Sequence, residues 1–161
     1  MAKRTVTRIG DIFSITIDGE YKVYFQYVAK DTTQLTSSVI RIFKRKYALD
    51  DNPDLEDVVL SEVNFYAHAF ISWDIKENVW EKVGKSKNLG DVENIHFRLT
   101  GDTMQVIKSY RWYVWKINTP FVTVGELTNE TRKYDMGWIV PPFQIVHKIK
   151  TGSYTIGDNI L

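Results

Sequence analysis

The segment from Asp11 to Val28 constrains this chain more than any other. Asp11-Ile12-Phe13-Ser14-Ile15-Thr16-Ile17 is a branched run that stops at Asp18-Gly19 and is answered by Tyr21-Lys22-Val23-Tyr24-Phe25-Gln26-Tyr27-Val28. Asp-Gly accepts the positive φ angles of a tight hairpin turn, and the alternation on both sides sets a register, so the segment predicts a β-hairpin. The rest of the chain has the same chemistry. It holds 16 Val, 16 Ile, 14 Thr, nine Tyr, eight Phe and five Trp against five Ala. Branched and ring side chains suit a pleated, half-buried surface, whereas a mainly helical protein would carry more Ala and Leu.

Further strands are expected at Val39–Phe43, Val79–Val83, Ile95–Leu99 and Phe121–Val124. Val63-Asn64-Phe65-Tyr66-Ala67-His68-Ala69-Phe70-Ile71 is apolar on both parities, the pattern of a central strand buried on two sides. Gln105 to Asn118, with Tyr110, Trp112, Tyr113 and Trp115, reads as the longest aromatic-rich strand. Asp50 to Asp57 surrounds Asn52-Pro53 and reads as a loop or one short helical turn, and Lys85 to Glu93 as a surface loop. Gly-Asp recurs at Gly10, Gly90, Gly101 and Gly157 without a period, which marks turns and not repeats. One helix is expected near the end. Pro141-Pro142 can open it, Ile145, Val146 and Ile149 share a stripe, Lys148 and Lys150 sit in its last turn and Gly152 stops it.

These elements predict a mainly β (α+β) fold: a strongly bent antiparallel sheet or partial barrel, with the one C-terminal helix over an open end or edge. Residues 1–161 read as a single domain, with its core over about 8–152 and a loose tail at 153–161.

Composition excludes more functions than it selects. The formal charge is +1 and there is no Cys, so a disulfide framework, a thiolate nucleophile and a thiolate metal site are all ruled out. Met1 to Arg8 is basic without an apolar run behind it, which is not a signal peptide, and no apolar run is long enough to span a membrane. A cytoplasmic protein with no membrane partner is expected. The near-neutral charge argues against a surface given over to nucleic acid.

The search for chemistry starts from three His residues, the only side chains that titrate near neutrality unaided. His68 lies in the doubly apolar segment and reads as a core histidine. His96 could face solvent, and His147 falls on the helix, where the dipole favours a cationic ring. None forms a His-x-x-x-His or His-Glu-x-x-His pair, so no metal is expected, and no phosphate loop, dinucleotide fingerprint or nucleophile elbow points to a cofactor or a catalytic residue. The acids from Asp50 to Asp57 lack the alternation of a calcium loop and read as solvated. Arg41-Ile42-Phe43-Lys44-Arg45-Lys46-Tyr47 interleaves four cations with two rings, as phosphate pairing plus base stacking requires. The acids that follow could neutralise it, and a solvated strand end is the plainer reading.

Three segments taken together carry a resemblance. They are Arg8-Ile9-Gly10-Asp11-Ile12-Phe13-Ser14-Ile15, then Phe65-Tyr66-Ala67-His68-Ala69-Phe70-Ile71 leading through Trp80-Glu81-Lys82-Val83-Gly84, then Trp112-x-Val114-Trp115 with the Pro141-Pro142 helix. In order and spacing these are similar to the immunity protein 26 family, small cytosolic bacterial proteins associated with polymorphic toxin systems. The resemblance implies a mostly β protein that binds a partner toxin and blocks it. Gly10, Asp11, Phe13, Phe65, Trp80 and Gly84 match recurrent positions, and their types point to turns, hairpin starts and core rings. Ile15-Thr16-Ile17 departs from the small or Pro residue expected before the first turn. The opening alone also resembles the small barrel endoribonuclease toxins, which need a cationic groove.

The functional expectation is therefore a non-enzymatic immunity protein whose partner is a cognate protein toxin. Arg111, Tyr113 and Trp115 are the partner-binding candidates, because that parity of the strand carries a charge and two rings, and exposed rings anchor interfaces. The alternative is a barrel-type RNA-binding protein or endoribonuclease that uses Arg41, Lys44, Arg45 and Lys46. A third reading is a sugar module built on Trp112 and Trp115.

Overall fold

A computed structural model of the protein describes residues 6–76 and 79–161. Among these, nine strands form two sheets. The first contains β1 (Asp11–Ile17), β2 (Tyr21–Asp31), β3 (Ser37–Phe43), β4 (Val63–Ala69) and β5 (Trp80–Lys85), ordered β4-β3-β2-β1-β5. The second contains β6 (His96–Thr100), β7 (Trp112–Lys116), β8 (Val122–Gly125) and β9 (Asp135–Met136), ordered β8-β7-β6-β9. Pairing is antiparallel except for β6 with β9. Three helices, α1 (Leu55–Leu60), α2 (Ile71–Lys76) and α3 (Pro142–Thr151), complete the fold. It is mainly β with a C-terminal helix, as the sequence predicts, but the strands divide between two sheets and neither closes into a barrel.

The hairpin forms as its residues dictate. β1 pairs with β2 from Ile12↔Gln26 to Ile17↔Tyr21, and Asp18 and Gly19 take φ of 52° and 68° in the turn. α3 starts at Pro142 and ends on Gly152 at φ 90°, the left-handed stop that glycine supplies without strain.

Period-two alternation gives the first sheet two working faces. Phe13, Phe25, Ile40 and Phe65 fill the larger core beneath α3 and the C-terminal tail. On the other face Ile12, Tyr24 and Phe43 pack under α1, while Val28 and Val39 meet Phe97 and Trp115 of the second sheet. Between these two apolar regions lies a buried polar strip. Arg41 donates from Nε and Nη2 to Gln26 Oε1 (3.0 and 2.8 Å) and from Nη2 to the Asn88 carbonyl at 2.8 Å, and Gln26 Nε2 reaches the Ser86 carbonyl at 3.1 Å. A Cβ on Gly90 would collide with the Arg41 guanidinium.

Three expectations change. The Val63–Ile71 segment is not a central strand but yields β4, the outermost strand of its sheet, followed by α2. It is apolar on both parities because both faces are packed, with Phe65, Ala67 and Ala69 in the larger core and Tyr66 and His68 against the second sheet, and chain from that sheet also covers its free edge. Asp135 Oδ2 accepts the Tyr66 N–H at 2.9 Å, and the Val140 N–H reaches the His68 carbonyl at 2.8 Å. The long strand from Gln105 to Asn118 shrinks to Trp112–Lys116, since turns occupy the residues before it. The tail is held, with Tyr154 and Ile160 in the core and the Leu161 carbonyl accepting the Ser109 N–H at 2.8 Å.

The two sheets meet on one carboxylate. Asp31, fully buried at the end of β2, accepts from His68 Nε2 (2.9 Å) on β4 and Trp115 Nε1 (2.8 Å) on β7 through Oδ2. Its Oδ1 accepts the N–H groups of Asn118 (2.9 Å) and Thr33 (3.1 Å). Burial alone raises its pKa, but the hydrogen bonds from His68, Asn118 and Trp115, with the charge of His68, outweigh burial and bring it from 3.8 to about 2. Asp135 goes the other way: burial pushes it from 3.8 up to about 6 against the pull of the Tyr66 N–H and Lys148.

The signs of the two linkages are opposite. A lowered carboxyl stabilises the fold above its unfolded pKa, so the share from Asp31, about 2 kcal/mol, is lost as pH falls from about 4 to about 2. A raised carboxyl costs stability above its folded pKa, so acidification from about 6 to about 4 regains about 3 kcal/mol from Asp135. Urea denaturation against pH should show Asp135→Asn flattening the upper window and leaving the lower one. Asp31→Asn should cost about 3 kcal/mol at pH 7, because an amide cannot accept from all those donors.

Candidate interaction surface

β7 is short, and its neighbours decide what each ring does. Trp112 points into the larger core and Trp115 into the smaller one, where it is only 2% exposed. The Trp115 indole is tied to Asp31, and a Cβ on Gly137 would strike its ring. Trp115 is thus the floor of a surface and not its contact residue. With both Trp rings enclosed, a sugar site on Trp112 and Trp115 has no open ring face.

Tyr113, half-buried, stays at the surface above this floor. It lies 6.1 Å from Trp115 at 26° between planes, and Phe121 stands edge-on to both rings, each at 4.9 Å. Burial raises the Tyr113 phenol pKa, so at neutral pH it offers a neutral hydroxyl. Phe121 is 47% exposed and directly precedes the outermost strand β8, whose first residue, Val122, pairs with Val114 and so faces the other side of the sheet. The turn that brings Phe121 here is fixed by the same carboxylate. Asn118 takes φ 61°, donates its N–H to Asp31 and accepts the Thr32 N–H on its side-chain oxygen at 2.9 Å. Thr33 Oγ1 donates to the Thr119 carbonyl at 2.7 Å.

Of the sequence candidates, then, Tyr113 and Trp115 come together and Arg111 does not join them. Arg111 precedes β7, is exposed, lies against Gly101 and pairs with Asp102 Oδ1 at 3.3 Å. Phe121 was legible only as a strand residue. Its role depends on the Asn118 turn, and Pro120-Phe121 has no spacing that announces it.

The basic segment separates in the same way. Arg41 is buried in the polar strip, while Lys44, Arg45 and Lys46 are exposed. Lys44 pairs with Glu62 at 3.1 Å, and Arg45 and Lys46 lie over the rings of Tyr47 and Tyr21. Phe43 and Tyr47, the rings on which a base would stack, are both core residues. What remains is three surface cations without a stacking platform, so Arg41 is not part of a phosphate-binding patch with them.

Two of the three histidines hold structural positions. His68 is fully buried on Asp31, and His96 stacks on Tyr134 at 4.8 Å. Gly10, at φ 101°, has a carbonyl that accepts the Ser86 N–H, while Phe13, Phe65 and Trp80 are core rings. Among the described residues no three His, Asp or Glu side chains form a metal-binding group, and no helix is long and apolar enough to cross a membrane. No family model matches the chain, and neither does any curated protein or solved structure.

The floor and the rim should respond differently to substitution. Trp115→Phe strips a hydrogen bond from a buried carboxylate and is expected to cost about 1–3 kcal/mol in urea denaturation. Phe121→Ser, at a half-exposed ring, should cost under about 1 kcal/mol.

Proposed function

We propose that this chain is a non-enzymatic binding module that docks a partner protein on the Tyr113–Phe121 face of its second sheet. The observation that carries this reading is the exposure of Phe121 on an aromatic floor held rigid by Asp31. Large apolar side chains left open on an ordered base are the usual anchors of protein interfaces, because little side-chain freedom remains to be lost on binding.

The class of partner comes from the resemblance described above, which points to a bacterial protein toxin neutralised by occlusion. In this reading the chain is an immunity protein and its cytoplasmic partner is the toxin's active domain. Three exposed cations without a stacking ring support this over an RNA-binding role.

The test is co-expression of the tagged chain with the C-terminal domain of the large open reading frame beside its gene. A stoichiometric complex and restored growth are expected. Phe121→Asp should weaken that complex at least about tenfold while the circular dichroism spectrum of the folded chain stays unchanged. Full binding by this variant would place the interface elsewhere, and no complex with no rescue would remove the toxin reading.

A further inference from the structure

A cleft of about 540 Å³ opens on the first sheet where β1 begins and β5 ends, within the range of about 300–1,000 Å³ typical of small-ligand sites. Three stretches of chain line it: Ile9-Gly10 before β1, Glu56 in the first turn of α1, and the run from Lys85 to Leu89 that leaves β5. Two glycines let them meet. A Cβ on Gly84 would strike the Leu55 side chain, so its absence seats α1, and Glu56 with it, against the end of β5. A Cβ on Gly10, which stands at φ 101°, would come within 2.8 Å of the Ser86 carbonyl.

The backbone of this cleft is held from below. Gln26, fully buried on β2, donates from Nε2 to the carbonyls of Gly10 (3.3 Å) and Ser86 (3.1 Å), and the Ser86 N–H donates to the Gly10 carbonyl at 2.9 Å. Arg41 fixes Gln26 through its Oε1 and also holds the Asn88 carbonyl, between Lys87 and Leu89. A cleft ordered in this way loses little freedom when it is filled.

Its charges are not spent inside the protein. Lys85 is the register partner of Asp11, but Asp11 Oδ2 is taken by Lys82 Nζ at 2.9 Å and by the Arg8 N–H at 2.8 Å. Lys85, Lys87 and Glu56 are exposed, and none of them forms an ion pair among the described residues. By contrast Lys44, Lys108 and Lys150 each find a surface carboxylate, at 3.1, 3.1 and 2.7 Å. The cleft also carries two apolar side chains, Ile9, 49% exposed, and Leu89, half-buried.

Two ammonium groups, one carboxylate and an apolar wall around one ordered cleft call for a ligand of the complementary pattern. We infer that the cleft binds a zwitterion with apolar side chains, of the size of a dipeptide. Its carboxylate faces Lys85 and Lys87, its ammonium faces Glu56, and its side chains rest on Ile9 and Leu89. Charge-assisted contacts of both signs reward such a ligand and disfavour one that carries only one of the two charges. The cleft lies beside α1 on the first sheet, whereas the Tyr113–Phe121 face belongs to the second, so it stands or falls independently of the protein-binding surface.

The test is a titration of nitrogen-15-labelled protein with L-leucyl-L-leucine at pH 7 and constant ionic strength, followed by NMR. Saturable shifts are expected at the Gly10, Gly84 and Ser86 amides, while Gly152, at the end of α3 over the larger core, stays in place. N-acetyl-leucyl-leucine, which lacks the ammonium, and leucyl-leucine amide, which lacks the carboxylate, should each bind at least about tenfold more weakly. Glu56→Gln, and Lys85→Gln combined with Lys87→Gln, should weaken binding of the parent dipeptide as much, with an unchanged circular dichroism spectrum. No saturable shifts with the dipeptide, equal binding of either capped form, or unchanged affinity in either variant would overturn the proposal.

Discussion

The rest of the structure depends on the buried carboxylate of Asp31. Four donors converge on it: the His68 ring, the Trp115 indole and the Asn118 N–H from distant parts of the chain, and the Thr33 N–H from its own turn. A carboxylate in the interior is tolerable only when its lone pairs are occupied, so each donor is as necessary as the charge itself. Apolar packing holds the sheets together without choosing a register. The three long-range hydrogen bonds choose it, because only one placement of β7 against β2 and β4 brings the Trp115 indole and the Asn118 turn within reach together.

The same economy governs the sheet edges. An exposed strand edge invites association, and this chain closes one and leaves another open. β4 is covered by Asp135 and by the strand-like stretch that leads to Val140, which joins the two sheets a second time. β8 is left open, with Phe121 exposed just before it. An open apolar edge that is also rigid is where a partner gains most, since the floor beneath it is already ordered.

Cations and rings show how far tertiary context redirects chemistry. Arg41, Lys44, Arg45 and Lys46 are near neighbours in sequence, yet the strand pleat turns Arg41 inward to Gln26 while the others leave the sheet into solvent. Arg98 has no such sequence setting; it is buried on β6 beside β9, where the Tyr134 carbonyl accepts its Nε–H. In both places the residue type stated what was chemically available, and the packing decided whether it was spent inside the protein or offered outside.

Local physics made the β1–β2 hairpin, the mainly β character and the α3 boundaries legible, because the Asp18-Gly19 turn, the alternation and the Pro141-Pro142 to Gly152 brackets all act within a few residues. The core position of His68 was legible for the same reason. β4 was misplaced because a covered edge strand and a central strand share one apolar pattern, and the rings of Gln105 to Asn118 overstated β7 because they serve two different cores. Trp115 looked like a contact residue since parity cannot tell a floor from a rim. The sequence by itself determined the secondary elements and the stock of rings and charges. Only the tertiary structure decided which of them are buried and which stay at the surface, because burial and hydrogen bonding at Asp31 and Arg98 depend on groups tens of residues away, and no local pattern encodes that convergence.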